Sequence, residues 1–232
     1  MCGIIGYVGK KAASPILLEG LRRLEYRGYD SAGVAVLREA DLLMRKKVGR
    51  IDSGLATVLQ SDPVSGTLGI GHTRWATHGI PSDKNCHPHF DQTERIAVVH
   101  NGVIENYDAL KDRLRAAGHK FRSDTDTEVL AHLIGDYYGK QRVRNLTRAV
   151  SDALREVIGT YGIAVICADE PDKIVGARRG SPLIIGIGKG ENFLASDANA
   201  IVAHTKRVVY LNDYDVATVT AGQFEVQNLG AD

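Results

Sequence analysis

A thiol stands one residue from the start of the chain, at the head of the apolar run Met1-Cys2-Gly3-Ile4-Ile5-Gly6. Removal of an initiator methionine is favoured when the next side chain is as small as cysteine's. Clipping would leave Cys2 with an α-amine and a thiol on one Cα. The α-amine has a reference pKa near ~8, against ~10.4 for lysine, so part of it is unprotonated at neutral pH and can act as a base. A thiol near ~8.5 is already partly thiolate and intrinsically nucleophilic. One residue would then supply both members of a nucleophile–base pair. The plainer reading is a buried apolar cysteine in a first strand.

Further stretches carry residue types that do chemistry. Gly71-His72-Thr73-Arg74-Trp75-Ala76-Thr77-His78-Gly79 sets two histidines, an arginine, the only tryptophan and two threonines between glycines. A Gly-bounded loop of this density suits a binding lid, and the planar fork of Arg74 suits a carboxylate. Core filling by Trp75 and a satisfied surface imidazole at His78 are the plain alternatives. His100-Asn101-Gly102 closes an apolar run. A side-chain amide N–H beside a glycine backbone N–H can form an oxyanion hole, because glycine lets a substrate approach the backbone closely. An ordinary Asn-Gly turn uses the same dipeptide. Asp124 and Asp126 precede a helical pattern, where carboxylates relieve unpaired N–H groups; one of them could instead hold a substrate ammonium. Within Glu25–Gly33, Arg27 and Asp30 could orient the N-terminus or each other, or form a solvated ion pair worth little. Cys86-His87-Pro88-His89 invites a metal reading. Pro88 stiffens it, and no second Cys pair or His-x-x-x-His helix accompanies it, so neither a metal nor a cofactor is expected.

These groups need a scaffold of strands and helices. Residues 2–8 read as a buried strand ended by Gly9. Ser14-Pro15 reads as an N-cap with proline at the first helical position, opening a helix over 15–24. Residues 32–38 and 42–48 form a strand pair, and 67–72 and 95–100 are further strands. Asn106 caps a helix stopped by Ala117-Gly118. Thr125-Asp126-Thr127-Glu128 is a capping-box pattern for the next, and 146–158 is a third. Strands then return at 161–168, 173–178, 182–187, 192–195, 207–211, 215–220 and 223–227. Strands, then helices, then strands argue for an α+β fold with helices on stacked antiparallel sheets.

The bulk numbers exclude several classes. Net charge is +1, from 29 Lys and Arg against 28 Asp and Glu, so no strong field recommends nucleic acid or an anionic membrane as partner. Three cysteines in 232 residues make no disulfide framework, and reduced thiols fit a cytoplasmic protein. No signal peptide or membrane span is legible.

Taken together, Cys2-Gly3-Ile4, Arg27-Gly28-x-Asp30-Ser31-Ala32-Gly33, the Gly71–Gly79 loop, Asn101-Gly102 and Ser123-x-Thr125-Asp126-Thr127-Glu128 resemble, in order, the N-terminal-nucleophile (class II) glutamine amidotransferases. The resemblance covers essentially the whole chain. Within the family, Glu25–Asp30 and His72–Gly79 look like the branch that supplies ammonia to fructose 6-phosphate for amino-sugar synthesis. The resemblance implies a four-layer α/β/β/α sandwich of two antiparallel sheets, the N-terminal nucleophile hydrolase fold. It implies that residues 1–232 are one glutaminase domain, and that a C-terminal isomerase domain binding fructose 6-phosphate would follow Asp232. The substrate would be L-glutamine, cleaved to glutamate and ammonia through a Cys2 thioester.

Roles follow by the same resemblance. Cys2 would be the nucleophile with its own α-amine as proton shuttle, Asn101 and Gly102 would stabilise the oxyanion, and Arg27 would brace the N-terminus. Arg74 would hold the glutamine α-carboxylate and Asp126 the α-ammonium. Trp75, Thr77, His78 and Gly102 would line the pocket, with 74–82 as a lid. Cys86 and His87 receive no catalytic role, and their loop is expected to face the following domain. A glutaminase domain serving another acceptor, an amidohydrolase for a different amide, and a non-catalytic glutamine-sensing domain are the alternatives.

Overall fold

The run Gly3-Ile4-Ile5-Gly6-Tyr7-Val8 has apolar side chains on both faces, which suits a strand covered on both sides. The computed structural model describes residues 2–75 and 82–230 and shows that run as a fully buried strand. The elements in order are β1 (Gly3–Val8), α1 (Ala13–Leu24), β2 (Ser31–Arg38), β3 (Asp41–Val48), α2 (Leu55–Ser61), β4 (Leu68–Arg74), β5 (His89–Phe90) and β6 (Ile96–Ile104). Three helices follow, α3 (Tyr107–Ala116), α4 (Asp126–Lys140) and α5 (Leu146–Glu156). The chain ends in β7 (Gly159–Cys167), β8 (Glu170–Arg179), β9 (Ile184–Ile187), β10 (Asn192–Ala195), β11 (Val208–Tyr210), β12 (Asp215–Thr220) and β13 (Phe224–Asn228).

Two sheets result, one in the order β11-β9-β10-β1-β4-β2-β3 and one in the order β13-β12-β8-β7-β6-β5. Each named pairing is antiparallel. Side-chain alternation divides the core into three slabs. In β1, Ile4 and Val8 join Leu68 and Ile70 of β4 against Ala97 and Val99 of β6, in the seam between the sheets. Ile5 and Tyr7 point the other way, onto Leu17 and Leu21 of α1. On the far side, Ile96 and Val98 of β6 pack against α4 and α5. Helix, sheet, sheet and helix are therefore stacked in four layers. Leu17, Leu21 and Leu24 are fully buried, each stabilising α1 against its sheet by about 1.5–3 kcal/mol. Among the described residues, no helix is long and apolar enough to cross a membrane.

Local chemistry departs from the sequence expectations in a few places. Helix α1 begins at Ala13, with no side-chain cap; Ser14 instead donates its hydroxyl to the Val64 carbonyl at 2.6 Å. Asn106 makes no capping bond. Its amide bridges helix ends, donating to Glu156 O at 2.9 Å and accepting from Ile158 N at 3.0 Å. Thr125 caps α4 by accepting from Glu128 N. The Glu128 carboxylate closes no capping box, because it accepts from Arg122 N and Ser123 N instead. Helix α2 is absent from the sequence expectations; only Leu55 and Ala56 of its seven residues are buried, so its periodic signal is weak.

Candidate active site

The two-residue period of strands aims the expected residues at one place. Cys2 shares a face with Ile4, His72 and Arg74 with Leu68 and Ile70, and Asn101 with Ala97 and Val99. Cys2, His72, Arg74 and Asn101 lie at one end of the seam between the sheets. There Cys2, Arg74, Trp75, Gly102 and Asp126 line a single cleft. His72, His87, His100, Thr125 and Thr127 complete its wall.

Glycines let the backbones converge on Cys2. A Cβ on Gly3 would stand 2.7 Å from Leu24 Cβ and from Thr73 Oγ1, and Gly3 N donates to that threonine hydroxyl at 3.1 Å. Gly102 has φ +136°, and a Cβ there would meet the Thr160 carbonyl oxygen at 2.1 Å, so only glycine fits. The Asn101 amide donates to Cys2 O at 3.0 Å. Cys2 Sγ accepts from Trp75 N at 3.2 Å. Burial pushes the Cys2 thiol above the ordinary thiol range, against a smaller lowering by that Trp75 N–H. The thiol is thus protonated at neutral pH and needs a base to become a nucleophile.

Arg74, at the end of β4 whose Thr73 pairs with Gly3, is buried, and Asp126 is partly exposed. One Asp126 oxygen accepts from Ile104 N at 2.9 Å, which fixes the carboxylate at the start of α4. Trp75 is 47% exposed and meets Tyr29 edge-on, with ring centroids 5.4 Å apart. Thr77 and His78, with most of the 74–82 stretch expected to act as a lid, lie outside the described residues.

Arg27 does not reach into that cleft. With Cys2, Asn101, Gly102 and Val103 it lines a second hollow, completed by Ser181 and Pro182. Its guanidinium bonds the Asp197 carboxylate and the Tyr26 hydroxyl. Asp197 escaped the sequence reading because a partner 170 residues away leaves no local signal.

The side chains of the Cys86–His89 run are packed inside this chain: Cys86, His87 and His89 are all buried. Lys46 Nζ holds it by donating to Cys86 O at 2.8 Å and Pro88 O at 3.1 Å. Gly33 makes room, since a Cβ there would lie 2.2 Å from the His87 carbonyl oxygen. The His87 ring stacks on His72 at 4.2 Å. Burial holds His72 down to about 3, and His87 and His89 well below the usual imidazole range. The three rings are neutral at working pH.

Comparison with known proteins points the same way. A family model described as a glutamine amidotransferase domain matches residues 60–228. The chain is 53% identical over 231 residues to glutamine–fructose-6-phosphate aminotransferase [isomerizing] of Chlorobaculum tepidum, covering 99% of this chain and 38% of that protein. It is 51% identical over 229 residues to a protein of the same name from Thermus thermophilus, covering 99% and 37% respectively. It therefore spans well under half the length of these relatives. Among solved structures, glutamine phosphoribosylpyrophosphate amidotransferase from B. subtilis, complexed with ADP and GMP, superposes with a TM-score of 0.84 at 26% identity. The match covers 100% of this chain and 50% of that one. The α+β two-sheet sandwich is the fold of these enzymes, and the chain belongs to the glutamine amidotransferase family.

Proposed function

We propose that this chain hydrolyses L-glutamine to L-glutamate and ammonia through a Cys2 thioester. The observation that carries it is the convergence of a thiol, a buried guanidinium and a carboxylate on one cleft. In the proposed reaction, the Cys2 α-amine, freed by loss of Met1, takes the thiol proton. The thiolate adds to the side-chain carboxamide carbon of glutamine. The charge on the carbonyl oxygen falls to the Gly102 backbone N–H and to Asn101. The Asn101 NH2 has two N–H groups, of which Cys2 O takes one. The C–N bond then breaks, and ammonia leaves with the proton returned by the α-ammonium. Water adds to the thioester, the C–S bond breaks, and glutamate and the thiol are regenerated. Arg74 and Asp126 pair with the α-carboxylate and α-ammonium, selecting free glutamine over glutamine within a peptide. Arg27, docked on Asp197, braces the N-terminal strand, and Trp75, Thr77 and His78 shape the mouth.

We further propose that residues 1–232 are the glutaminase portion of a longer cytoplasmic protein. Its remaining part would bind fructose 6-phosphate and use the ammonia for glucosamine 6-phosphate, a reading supported by the names of the relatives at 53 and 51% identity. No Gly-rich phosphate loop opens a helix in the sequence. Incubation with glutamine should yield glutamate and ammonia in equal amounts, unchanged by added fructose 6-phosphate. Intact mass should be short by one methionine, a glutamine-mimicking alkylator should label Cys2 rather than Cys86 or Cys167, and Cys2→Ala should be inactive. An active Cys2→Ala protein, or full activity with Met1 retained, would overturn the mechanism. Amino sugar in the mixture would overturn the division of labour.

A further inference from the structure

An asparagine amide is nearly symmetric in shape but opposite in chemistry at its two ends. Turned by 180°, Asn101 would present an acceptor to a developing oxyanion, and the site would repel what it has to stabilise. Something must hold the NH2 end toward Cys2.

The contacts around Asn101 fix that orientation twice over. On one side, the amide touches the Cys2 carbonyl oxygen at 3.0 Å. A carbonyl only accepts, so the group facing it is the NH2. On the other side, Asn101 Oδ1 lies 2.9 Å from His72 Nε2, and the same nitrogen lies 3.1 Å from the His100 carbonyl oxygen. That second carbonyl also only accepts, so Nε2 carries the proton and donates to both oxygens. The opposite nitrogen, Nδ1, is then bare, and it is buried with no hydrogen-bond partner among the described residues.

We infer that His72 is the positioning residue for Asn101, holding the amide with its donor end toward Cys2 through a neutral Nε2–H tautomer. This rests on the proposed glutamine hydrolysis. It bridges the two sheets, since His72 stands in β4 and Asn101 in β6. It also gives the Cys86–His89 run a purpose. His87 stacks on the His72 ring at 4.2 Å and accepts at Nδ1 from His100 N at 3.4 Å. Its ring thereby sets the plane in which His72 points at Asn101. The low proton affinity of the buried ring, pushed down to about 3, keeps the tautomer neutral throughout the working range.

The test compares His72→Phe, which keeps the ring without the donor, with His72→Gln, whose amide can place an N–H near the Nε2 position. His72→Phe should lower kcat for glutamine hydrolysis by roughly 10- to 100-fold, short of the ~10²–10³ expected for loss of the donor itself, with KM within about threefold. His72→Gln should recover most of it. In the Asn101→Ala background, His72→Phe should add little, because the amide it orients is gone. A folded His72→Phe enzyme with normal kcat, a rise in KM alone, or fully multiplicative losses in the double variant would overturn the inference. If His72→Phe does not fold, nitrogen-15 imidazole spectra of the unaltered chain decide: an Nε2–H tautomer that stays neutral at pH 5 supports it, and an Nδ1–H tautomer or a charged ring refutes it. A wild-type chain that forms no glutamate would sink the proposed function, while the tautomer would still report on the orientation.

Discussion

At the reacting end of the cleft, side chains stand on or beside strands held in register by their neighbours: β1 lies between β10 and β4, and Asn101 and Gly102 of β6 pair with Gly162 and Tyr161 of β7. At the rim, Trp75 and Tyr29 stand on loops with 47 and 49% of their surface exposed. The two regions are fixed by different forces. A strand's register sets which way a side chain points, and a slip of one residue would turn it to the other face. At the rim, among the described residues, an edge-on aromatic contact and the Arg50 guanidinium, 5.2 Å over the Tyr29 ring, hold the side chains. Changes at the seam should therefore strike the chemical step, and changes at the rim should be absorbed.

The largest effect short of removing the nucleophile is expected at Asn101. Loss of one oxyanion donor costs ~10²–10³ in kcat, so Asn101→Ala should fall in that range with a modest change in KM. Steady-state kinetics on glutamine will show it. A normal kcat with a raised KM would mean that Asn101 only binds ground-state substrate, and the contrast between seam and rim would lose its chemical meaning.

Asp126 stands between the two regions, on the first turn of a helix that packs on β6. Asp126→Asn keeps the acceptor for Ile104 N but removes the charge. It should weaken glutamine binding by roughly 1.5–3 kcal/mol, the range for a hydrogen bond to a charged group. The loss should appear in KM, and discrimination against glutamine analogues that lack the α-amine should fall with it. Unchanged binding would make Asp126 a structural acceptor for Ile104 N alone.

The strands of the seam were legible because their periodicity is local, but the expected ends at 72 and 100 stop short of β4 (Leu68–Arg74) and β6 (Ile96–Ile104), so Arg74 and Asn101, expected in a lid and a turn, stand on strands. Leu68, Ile70, His72 and Arg74 alternate on one face, as do Ala97, Val99 and Asn101. The capping residues were less legible. Ser14 and Asn106 are of the capping type, but each found a better partner across the fold, in Val64 and in the turn after α5. The Arg27–Asp197 pair was invisible for the same reason, since long-range pairing leaves no spacing to count. The inward packing of the Cys86–His89 run was not legible, because the Lys46 ammonium and the gap left by Gly33 that draw it in are distant in sequence. There its neutral rings pack beside the site, with His87 on the cleft wall.

The smallest effect is expected at Tyr29, where the contrast is sharpest. Its ring meets the Trp75 indole edge-on at 5.4 Å, a geometry worth about 0.5–1.5 kcal/mol when buried. Here both rings are about half exposed, so the lower end applies. Trp75 also reaches Cys2 through its backbone, by the N–H that donates to Sγ at 3.2 Å, and that contact does not depend on where the indole lies. Gly28 backs it: a Cβ there would stand 2.9 Å from Trp75 N, so the 25–30 loop presses on the main chain rather than on the ring. Tyr29→Ala should accordingly lower kcat/KM for glutamine by no more than about threefold, a loss near 0.5 kcal/mol, with kcat nearly unchanged. A tenfold fall in kcat would mean that the indole's position governs the Trp75 N–H on the thiol, and that the rim is part of the reacting end rather than its border.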